Sequence, residues 1–575
     1  MSSRQVASAR RTQLVATYGI GALLPSMEES FMICGLDEWS ELAATEVPEP
    51  RLARSMQVDT FRLPPSGRAR GKDVPAVRFP LWHFCPNCRR LDRHRAFGAW
   101  DENRCHDCSR PLTPSRFVVC CPNGHIDDFP YYSWAHRDQG APEGEHRMRL
   151  TTRGRTSSLA DIVIECSCGI TPVSLAGSFG PKALQQIAKC RGYRPWLPGS
   201  EAQLCDELPR TLQRGSSNVW FGVVRSAISI PPWSEGVHRL VNRHWASIKA
   251  VESSLLPVVI GAMGIASIEA PLDDIVLAIR ERRGELDQSI PTEDDLRKDE
   301  YEALLRGRPE TSKDQQFVAR SVPIAATVRP FISQVSEVAR LREVRALEGF
   351  TRVLPPEPGM DPVRLAALSL SPARWLPAIE VLGEGIFLDF SAEALRAWES
   401  SDFALSRARL VREGMELAYD RPGPAPVVEV SARELLLHST AHVLLNELSL
   451  DAGYPVASLR ERLYVSEERS GILIYTASGD SAGSLGGLAA QSVADRLEAA
   501  FLGAVRRSSW CSADPVCIES SSTGTSAANL AACHACLLLP ETSCERMNNR
   551  LDRATIVGLP GEPGLGFFGA LIVGA

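Results

Sequence analysis

Cysteines are the residues of this chain whose type and spacing most clearly predict chemistry. Cys85 and Cys88 form a C-x2-C pair, and after a gap of sixteen residues Cys105 and Cys108 form another. Two tight turns that each supply two thiolates predict a tetrahedral zinc site. Because four thiolates leave no coordination position for a substrate, we expect this zinc ion to be structural.

A second group of possible zinc ligands lies between residues 120 and 205. Its members are Cys120, Cys121, His125, Cys166, Cys168, Cys190 and Cys205. We predict that Cys166, Cys168 and Cys190 supply three thiolates of one site. The fourth ligand could be Cys121, His125 or Cys205, and we favour Cys121.

A third group of cysteines lies near the C terminus. Cys533 and Cys536 form a C-x2-C pair, and we predict that Cys544 is a further ligand. Cys511 and Cys517 compete for the remaining position, because either loop could reach it. Together the three groups predict two or three structural Zn²⁺ ions.

The sequence around His125 also permits a catalytic interpretation. His125 is followed by Asp127 and Asp128 and lies close to Cys121. Beside a zinc ion with an open coordination position, these residues could activate water, as in a zinc-dependent hydrolase. A closed coordination shell would instead indicate a structural site.

Arginine supplies most of the positive charge around the first two cysteine pairs. Between residues 78 and 116, eight arginines accompany four acidic residues. Guanidinium groups bind DNA phosphates well. We predict five DNA-binding residues, which are Arg89, Arg90, Arg93, Arg95 and Arg214.

Aromatic residues are interleaved with these arginines. The side chains that could stack on nucleic-acid bases are Trp82, His83, Phe84, Phe97 and Trp100. Alternatively, they could form the core of a small domain, and the arginines would then only face solvent.

Length and composition indicate a multidomain protein without a membrane span. The 575 residues, with 44% hydrophobic residues, 23% charged residues and a net charge of -6, are enough for about three or four globular domains. The first residues show no secretory signal, so we expect a cytoplasmic protein that does not contact membranes. In that reducing compartment, paired cysteines favour zinc over disulfides.

We expect a mixed α/β fold built from several domains. Residues 1–79 form a predicted N-terminal segment, and residues 80–225 a domain rich in zinc ribbons. Residues 226–425 form a mainly helical middle region, which ends near a proline-rich turn. Residues 426–575 form a predicted α/β domain with a four-cysteine zinc site.

Hydrophobic periodicity predicts the main elements of the second half of the chain. Residues 330–350 place apolar side chains at helical spacing with charges between them, which predicts a helix. A further helix is predicted over 433–448, followed by strands at 462–465 and 471–477. A last helix is predicted to end near residue 507.

Two glycine-containing loops could suggest phosphate binding. Residues 67–72 and 479–487 do not match the Walker A pattern, however. We therefore expect that the chain is not an ATP-driven motor by itself. Any ATP-driven motor should belong to a partner protein.

Eight segments spread over most of the chain carry a family resemblance. They are RRTQLVATYGIGAL, CPNGHIDDFP, RGYRPWLPG, LQRGSSNVWF, RLREVRALEGFTRV, WLPAIEVLGEGIFLDF, YTASGDSAGSLGGL and AACHACLLLPETSCERMNNRLDR. In this order they resemble the DrmB family, the zinc-binding accessory proteins of the DISARM anti-phage defence system. The last segments are also similar to the cysteine-bearing C-terminal domain of some DNA-repair helicases.

The resemblance implies a function and a partner. It implies a non-catalytic subunit that pairs with DrmA, a superfamily-two helicase-like ATPase, in a complex that engages foreign DNA. With the missing Walker A pattern, this leads us to expect that the chain is not an enzyme and binds no small-molecule substrate. The resemblance also implies a C-terminal site made of Cys533, Cys536, Cys544 and either Cys511 or Cys517. The alternatives are the zinc-dependent hydrolase and a protein-interaction scaffold without DNA contact.

Overall fold

The chain has a mixed α/β structure, as predicted. The computed structural model describes residues 5–41, 44–66, 73–98, 102–140, 142–154, 156, 158–268, 270–286, 289–312, 315–356, 360–417, 429–476, 487–524 and 527–573. The loop at 67–72, Trp100, nearly all of the loop at 479–487 and the predicted boundary near residue 425 lie outside these residues. None of the described helices is both long and apolar enough to cross a membrane.

The strands and helices are numbered in chain order. The strands are β1 (Leu23–Pro25), β2 (Ser30–Ile33), β3 (Glu46–Val47), β4 (Thr60–Arg62), β5 (Ala76–Arg78), β6 (Trp82–Phe84), β7 (Arg90–Arg93), β8 (Thr113–Pro114), β9 (Phe117–Cys120), β10 (Ile126–Asp128), β11 (Met148–Thr152), β12 (Ile162–Cys166), β13 (Val173–Ser174), β14 (Arg210–Gln213), β15 (Phe221–Ile228), β16 (Val318–Val322), β17 (Ile332–Thr351), β18 (Trp375–Phe390), β19 (Leu459–Val465) and β20 (Ser470–Thr476). The helices are α1 (Gln13–Ala16), α2 (Pro50–Ser55), α3 (Tyr131–His136), α4 (Gly236–Ile248), α5 (Leu256–Met263), α6 (Leu272–Arg282), α7 (Glu293–Arg306), α8 (Ala392–Glu399), α9 (Asp402–Leu417), α10 (Ala432–Ala452), α11 (Ala494–Ser508), α12 (Ala554–Val557) and α13 (Ala570–Val573).

The chain divides into two compact units. Unit 1 comprises residues 1–48, 56–226 and 345–379, and unit 2 comprises residues 49–55, 227–344 and 380–575. Both units draw on the predicted middle region, because residues 345–379 of that region belong to unit 1.

Short antiparallel hairpins in unit 1 position the predicted zinc ligands. A six-stranded sheet has the order β13-β12-β11-β7-β6-β8, and a three-stranded sheet has the order β10-β9-β14. The turn between β6 and β7 contains the first C-x2-C pair, and the turn between β9 and β10 contains Cys121 and His125. Since most of these strands are only two to five residues long, the turns make up much of this region.

The core of this region is small and aromatic. Phe129, Tyr131 and Trp134 pack with Ile164 and Leu175, and all five side chains are buried. A core of this size provides limited stability, which is consistent with a domain that depends on bound metal.

Unit 2 contains the predicted helix–strand–strand–helix order of the C-terminal region. α10, β19, β20 and α11 correspond to the four predicted elements. The side chain of Ser431 caps α10 by accepting a hydrogen bond from the N–H of Glu434, and the helix ends at Gly453, whose φ of 73° is left-handed. Leucines of α10 form the centre of the core with β19, β20 and α11.

The helix predicted over residues 330–350 is wrong, because these residues form β17. The prediction took the charged residues to face solvent. Arg342, Glu343 and Arg345 are instead buried, and Nε of Arg342 lies 2.9 Å from a carboxylate oxygen of Glu380 in unit 2. With both faces of the strand covered, the usual alternation of polar and apolar residues is absent.

Helices occupy the first part of the predicted middle region. α4, α5 and α6 pack through a cluster that includes Trp245, Ile260 and Ile279. α7 begins with a capping box in which the side chains and backbone N–H groups of Thr292 and Asp295 are joined by reciprocal hydrogen bonds.

Candidate metal centres

Two turns with the same hydrogen-bond pattern bring the first predicted ligand set together. In one turn the N–H of Cys85 donates to the carbonyl oxygen of Arg90, and in the other the N–H of Cys105 donates to that of Arg110, both at 2.9 Å. Four sulfur atoms lie within 4.8 Å of one another, from Cys85, Cys88, Cys105 and Cys108. This geometry fits one tetrahedral zinc ion with no open position.

The second predicted ligand set is divided between two places. Cys121 and Cys190 lie together, and His125 and Cys205 join them. Nδ1 of His125 is 3.4 Å from Sγ of Cys121 and 3.6 Å from Sγ of Cys190. Nε2 of the same imidazole is 2.8 Å from Oε1 of Gln203, to which it donates, so Nδ1 is left as the ligand nitrogen.

The charge state of Cys190 also fits a metal ligand. Its pKa is lowered to about 4, chiefly because Cys121 hydrogen-bonds to its thiolate, although burial opposes this effect. The thiolate is the form of cysteine that binds metal ions.

The prediction that Cys166 and Cys168 share a site with Cys190 is wrong. They lie beside His136, at the end of α3, and His146, which precedes β11. Nε2 of His136 is 3.4 Å from Sγ of Cys168, and Nδ1 of His146 is 3.3 Å from Sγ of Cys166. Each imidazole donates its other N–H to a backbone carbonyl 2.8–2.9 Å away, which fits a His2Cys2 zinc site.

The C-terminal group contains four cysteines and differs from the predicted set in one member. Sγ of Cys511 lies 3.5 Å from that of Cys533, and Sγ of Cys517 lies 3.7 Å from that of Cys536. Cys511 and Cys517 therefore do not compete for one position, since both belong to the group.

Cys544 lies outside this four-cysteine group, contrary to the prediction. Between Cys536 and Cys544, the side chains of Leu537 and Leu539 are buried in the core of unit 2. Cys544 itself faces α10, where it forms a fifth group with His438, His442 and Glu461.

The five groups account for most of the cysteines. All sixteen cysteines are free thiols, and only Cys34 and Cys120 belong to none of the five groups. Sequence reasoning missed four histidines, which are His136, His146, His438 and His442. The spacing of His438 and His442, four residues apart in a predicted helix, places both on one helix face and was the available signal.

Two of the predicted DNA-binding arginines lie on opposite faces of one strand. Arg90 and Arg93 are three positions apart in β7, so the alternation of a strand places them on opposite faces. Arg90 is paired with Asp92 at 2.8 Å and stacks over Phe97. Arg89, Arg93 and Arg95 are exposed.

Three of the aromatic residues among these arginines belong to the packed interior. Phe97 is buried between the zinc-binding turns, and Trp82 and Phe84 pack against the aromatic core of unit 1. The packing therefore supports a role for these three residues in the core of the domain and not in base stacking.

Arg214 lies beside a second arginine. It follows β14 in the turn that leads to β15, and its backbone N–H donates to the carbonyl oxygen of Arg116 at 2.9 Å. Burial, together with the charge of Arg116, lowers the pKa of Arg214, and its buried Nη1 donates no hydrogen bond within the described part of the chain. Two neighbouring guanidinium groups that lack a carboxylate partner among the described residues could bind a phosphate.

The aspartates that follow His125 are occupied by other contacts. Both carboxylate oxygens of Asp127 accept hydrogen bonds from Arg191, at 2.5 and 2.7 Å. Oδ1 of Asp128 accepts from the backbone N–H groups of Leu81 and Trp82. These contacts hold the carboxylates in structural roles, and the hydrolase interpretation gains no support from them.

Comparisons with known proteins match two ranges of the chain and one relative along nearly its whole length. Residues 10–221 match a domain of unknown function, DUF8724, and residues 440–537 match the MrfA Zn-binding domain. The second range contains all members of the four-cysteine group and excludes Cys544. The chain is also 31% identical over 554 residues to the DISARM protein DrmB of Bacillus paralicheniformis, across 93% of this chain and 97% of that protein. This chain therefore belongs to the DISARM DrmB family.

Proposed function

We propose that this protein is a non-catalytic subunit of a DISARM-type anti-phage defence complex in the cytoplasm. It pairs with the helicase-like ATPase DrmA and contributes to DNA binding. The observation that carries the proposal is the identity to DISARM protein DrmB over nearly the whole of both chains. A relationship of this extent includes both units and not a single shared module.

A structural role for the metal ions is consistent with a non-catalytic subunit. Each of the five groups offers four ligand atoms within 4.8 Å of one another. Four protein ligands saturate tetrahedral zinc, whereas catalytic zinc sites usually have three protein ligands and a water. The ions would fix the hairpins and turns that a small core cannot hold alone.

The arginine pair supports a contact with the DNA backbone. Arg116 is exposed and Arg214 is half-buried, and neither is paired with a carboxylate of the described residues. A phosphate beside the pair would offset the repulsion between the two cations. Arg89 and Arg93, which are exposed, would add less specific attraction.

We expect the double substitution Arg116→Ala and Arg214→Ala to weaken DNA binding by the complex with DrmA several-fold. It should also reduce the slope of log affinity against log salt concentration by about 1 for each phosphate that the variant no longer binds. Fluorescence anisotropy with a labelled duplex and with single-stranded DNA, over a salt series, measures both quantities.

Arg147→Ala is the matched control for this experiment. Arg147 is exposed in the same unit, but Glu145 already neutralises its charge at 2.9 Å. The control should bind DNA as the parent does. An unchanged affinity and slope for the Arg116 and Arg214 variant, and for Arg89→Ala with Arg93→Ala, would reject DNA contact by these arginines and leave the protein-scaffold alternative.

A further inference from the structure

The fifth group of ligands lies wholly inside unit 2. His438 and His442 are one turn apart on α10, Glu461 is on β19, and Cys544 lies in the segment between α11 and α12. Nε2 of His438 is 3.2 Å from Sγ of Cys544 and 3.1 Å from Oε1 of Glu461. Nε2 of His442 is 3.4 Å from the same carboxylate oxygen.

These four side chains are removed from solvent. The histidines and Glu461 are 0% exposed, and Cys544 is 4% exposed. Burying a carboxylate, a thiol and two imidazoles together is costly unless each polar atom is paired. The hydrogen bonds of each polar atom therefore show whether the group is a hydrogen-bonded network or a set of metal ligands.

Backbone contacts fix the tautomers of both histidines. Nδ1 of His438 is 3.2 Å from the carbonyl oxygen of Arg550, and Nδ1 of His442 is 2.8 Å from that of Leu537. A carbonyl oxygen can only accept, so Nδ1 carries the proton in each ring. In the neutral imidazoles, both Nε2 atoms are then lone-pair acceptors that face Glu461.

The opposite side of the group also consists of acceptors. Sγ of Cys544 accepts hydrogen bonds from the backbone N–H groups of Arg546 and Asn548, at 3.3 and 3.2 Å. Within the described part of the chain, neither Nε2 of His442 nor Oε2 of Glu461 makes a hydrogen bond. Two imidazole nitrogens, a carboxylate oxygen and a sulfur atom that converge in this way offer four ligands to a metal cation.

We propose that His438, His442, Glu461 and Cys544 bind a second metal ion in the C-terminal domain, separate from that of the four-cysteine group. Two imidazole nitrogens, a thiolate and a carboxylate match the ligand preferences of a divalent transition metal, and zinc fits best. The second N–H of each histidine is oriented by a carbonyl, as in established zinc sites. Complete burial makes the ion structural: it joins α10, β19 and the segment that carries Cys544.

Metal content distinguishes this site from a hydrogen-bonded network. Zinc per chain is measured by mass spectrometry on the full-length protein and on His442→Leu and His442→Cys. We expect His442→Leu to lose about one zinc ion per chain and His442→Cys to retain it, because a thiolate can replace the imidazole as a ligand. Undiminished zinc in a folded His442→Leu protein would overturn the proposal.

A second measurement remains decisive if His442→Leu does not fold. The parent and His442→Cys are prepared with cobalt in place of zinc, and thiolate-to-cobalt absorption is compared. A metal at this site gains one thiolate ligand in His442→Cys, so the absorption should increase. Equal absorption of the two folded proteins would contradict a metal at this position. Cys34→Ser, which changes a buried thiol outside all five groups, should match the parent in both measurements.

Discussion

Replacing Cys533 with serine is expected to remove about one zinc ion per chain and to unfold the C-terminal segment that the ion holds. Cys533 contacts both Cys511 and Cys536, so its loss breaks the centre of the group. In zinc-finger peptides, metal binding contributes about 10–16 kcal/mol to folding. Much of the segment forms turns without helix or strand, so no backbone ladder would hold it in place after the ion is lost.

The effect should be local as well as large. Hydrogen exchange followed by mass spectrometry should show loss of amide protection in residues 511–553, while unit 1 keeps its protection. Cys34→Ser is the control, since Cys34 is buried but belongs to no ligand group. Retention of zinc and of protection in Cys533→Ser would contradict a metal site at these four cysteines.

Arg462→Met is expected to destabilise unit 2 by about 3–5 kcal/mol, because it leaves a buried carboxylate without its partner. Arg462 and Glu300 are both 0% exposed, and two hydrogen bonds of 2.7 and 2.8 Å join them. Nη1 of Arg462 also lies 3.7 Å from Glu343 and 3.8 Å from Glu545. Urea unfolding followed by tryptophan fluorescence measures the change.

Two further variants separate the buried pair from an ordinary surface pair. Arg412→Met breaks a half-exposed pair with Glu416 in the same unit and should cost less than about 1 kcal/mol. Combining Arg462→Met with Glu300→Leu removes both charges of the Arg462–Glu300 pair. The double variant should recover part of the stability that Arg462→Met loses. If Arg462→Met is no worse than Arg412→Met, the buried network does not stabilise the fold as described.

The same network gives a dependence on pH with a defined sign. Burial raises the pKa of Glu545, but the charges of Arg297 and Arg462 outweigh it, and the pKa lies below its ordinary value. A lowered folded pKa means that the stabilisation is present above the ordinary glutamate value of about 4.3 and is lost as the pH falls below it. The loss of unfolding free energy caused by Arg462→Met should therefore be smaller near pH 4 than at pH 7.

Local spacing in the sequence was sufficient to predict the ligands of some candidate metal sites. The pairs Cys85–Cys88 and Cys105–Cys108 each lie in one turn, so short-range sequence determines their geometry. The second group depends on which hairpins meet, and that is set by long-range strand pairing. Its assignment from sequence therefore paired Cys190 correctly with Cys121 but wrongly with Cys166 and Cys168.

Buried polar residues explain the other differences. β17 contains charged residues whose partners lie far away in sequence, and a pattern analysis counts such residues as solvent-facing. His438 and His442 were overlooked because α10 is buried around most of its circumference, and their spacing of four residues also suits two core residues on one helix face. Arginines in β7 were grouped by sequence proximity, although a strand divides neighbours between its two faces.

The most direct test of the proposed function is co-expression of this chain with the DrmA helicase-like protein of the same defence system. The pair is purified through a tag on one component, and DNA binding is measured for each chain and for the complex over a salt series. We expect a stable complex that binds DNA more tightly than either component, with an affinity that decreases as salt increases. Failure of the two folded proteins to associate would contradict the central claim.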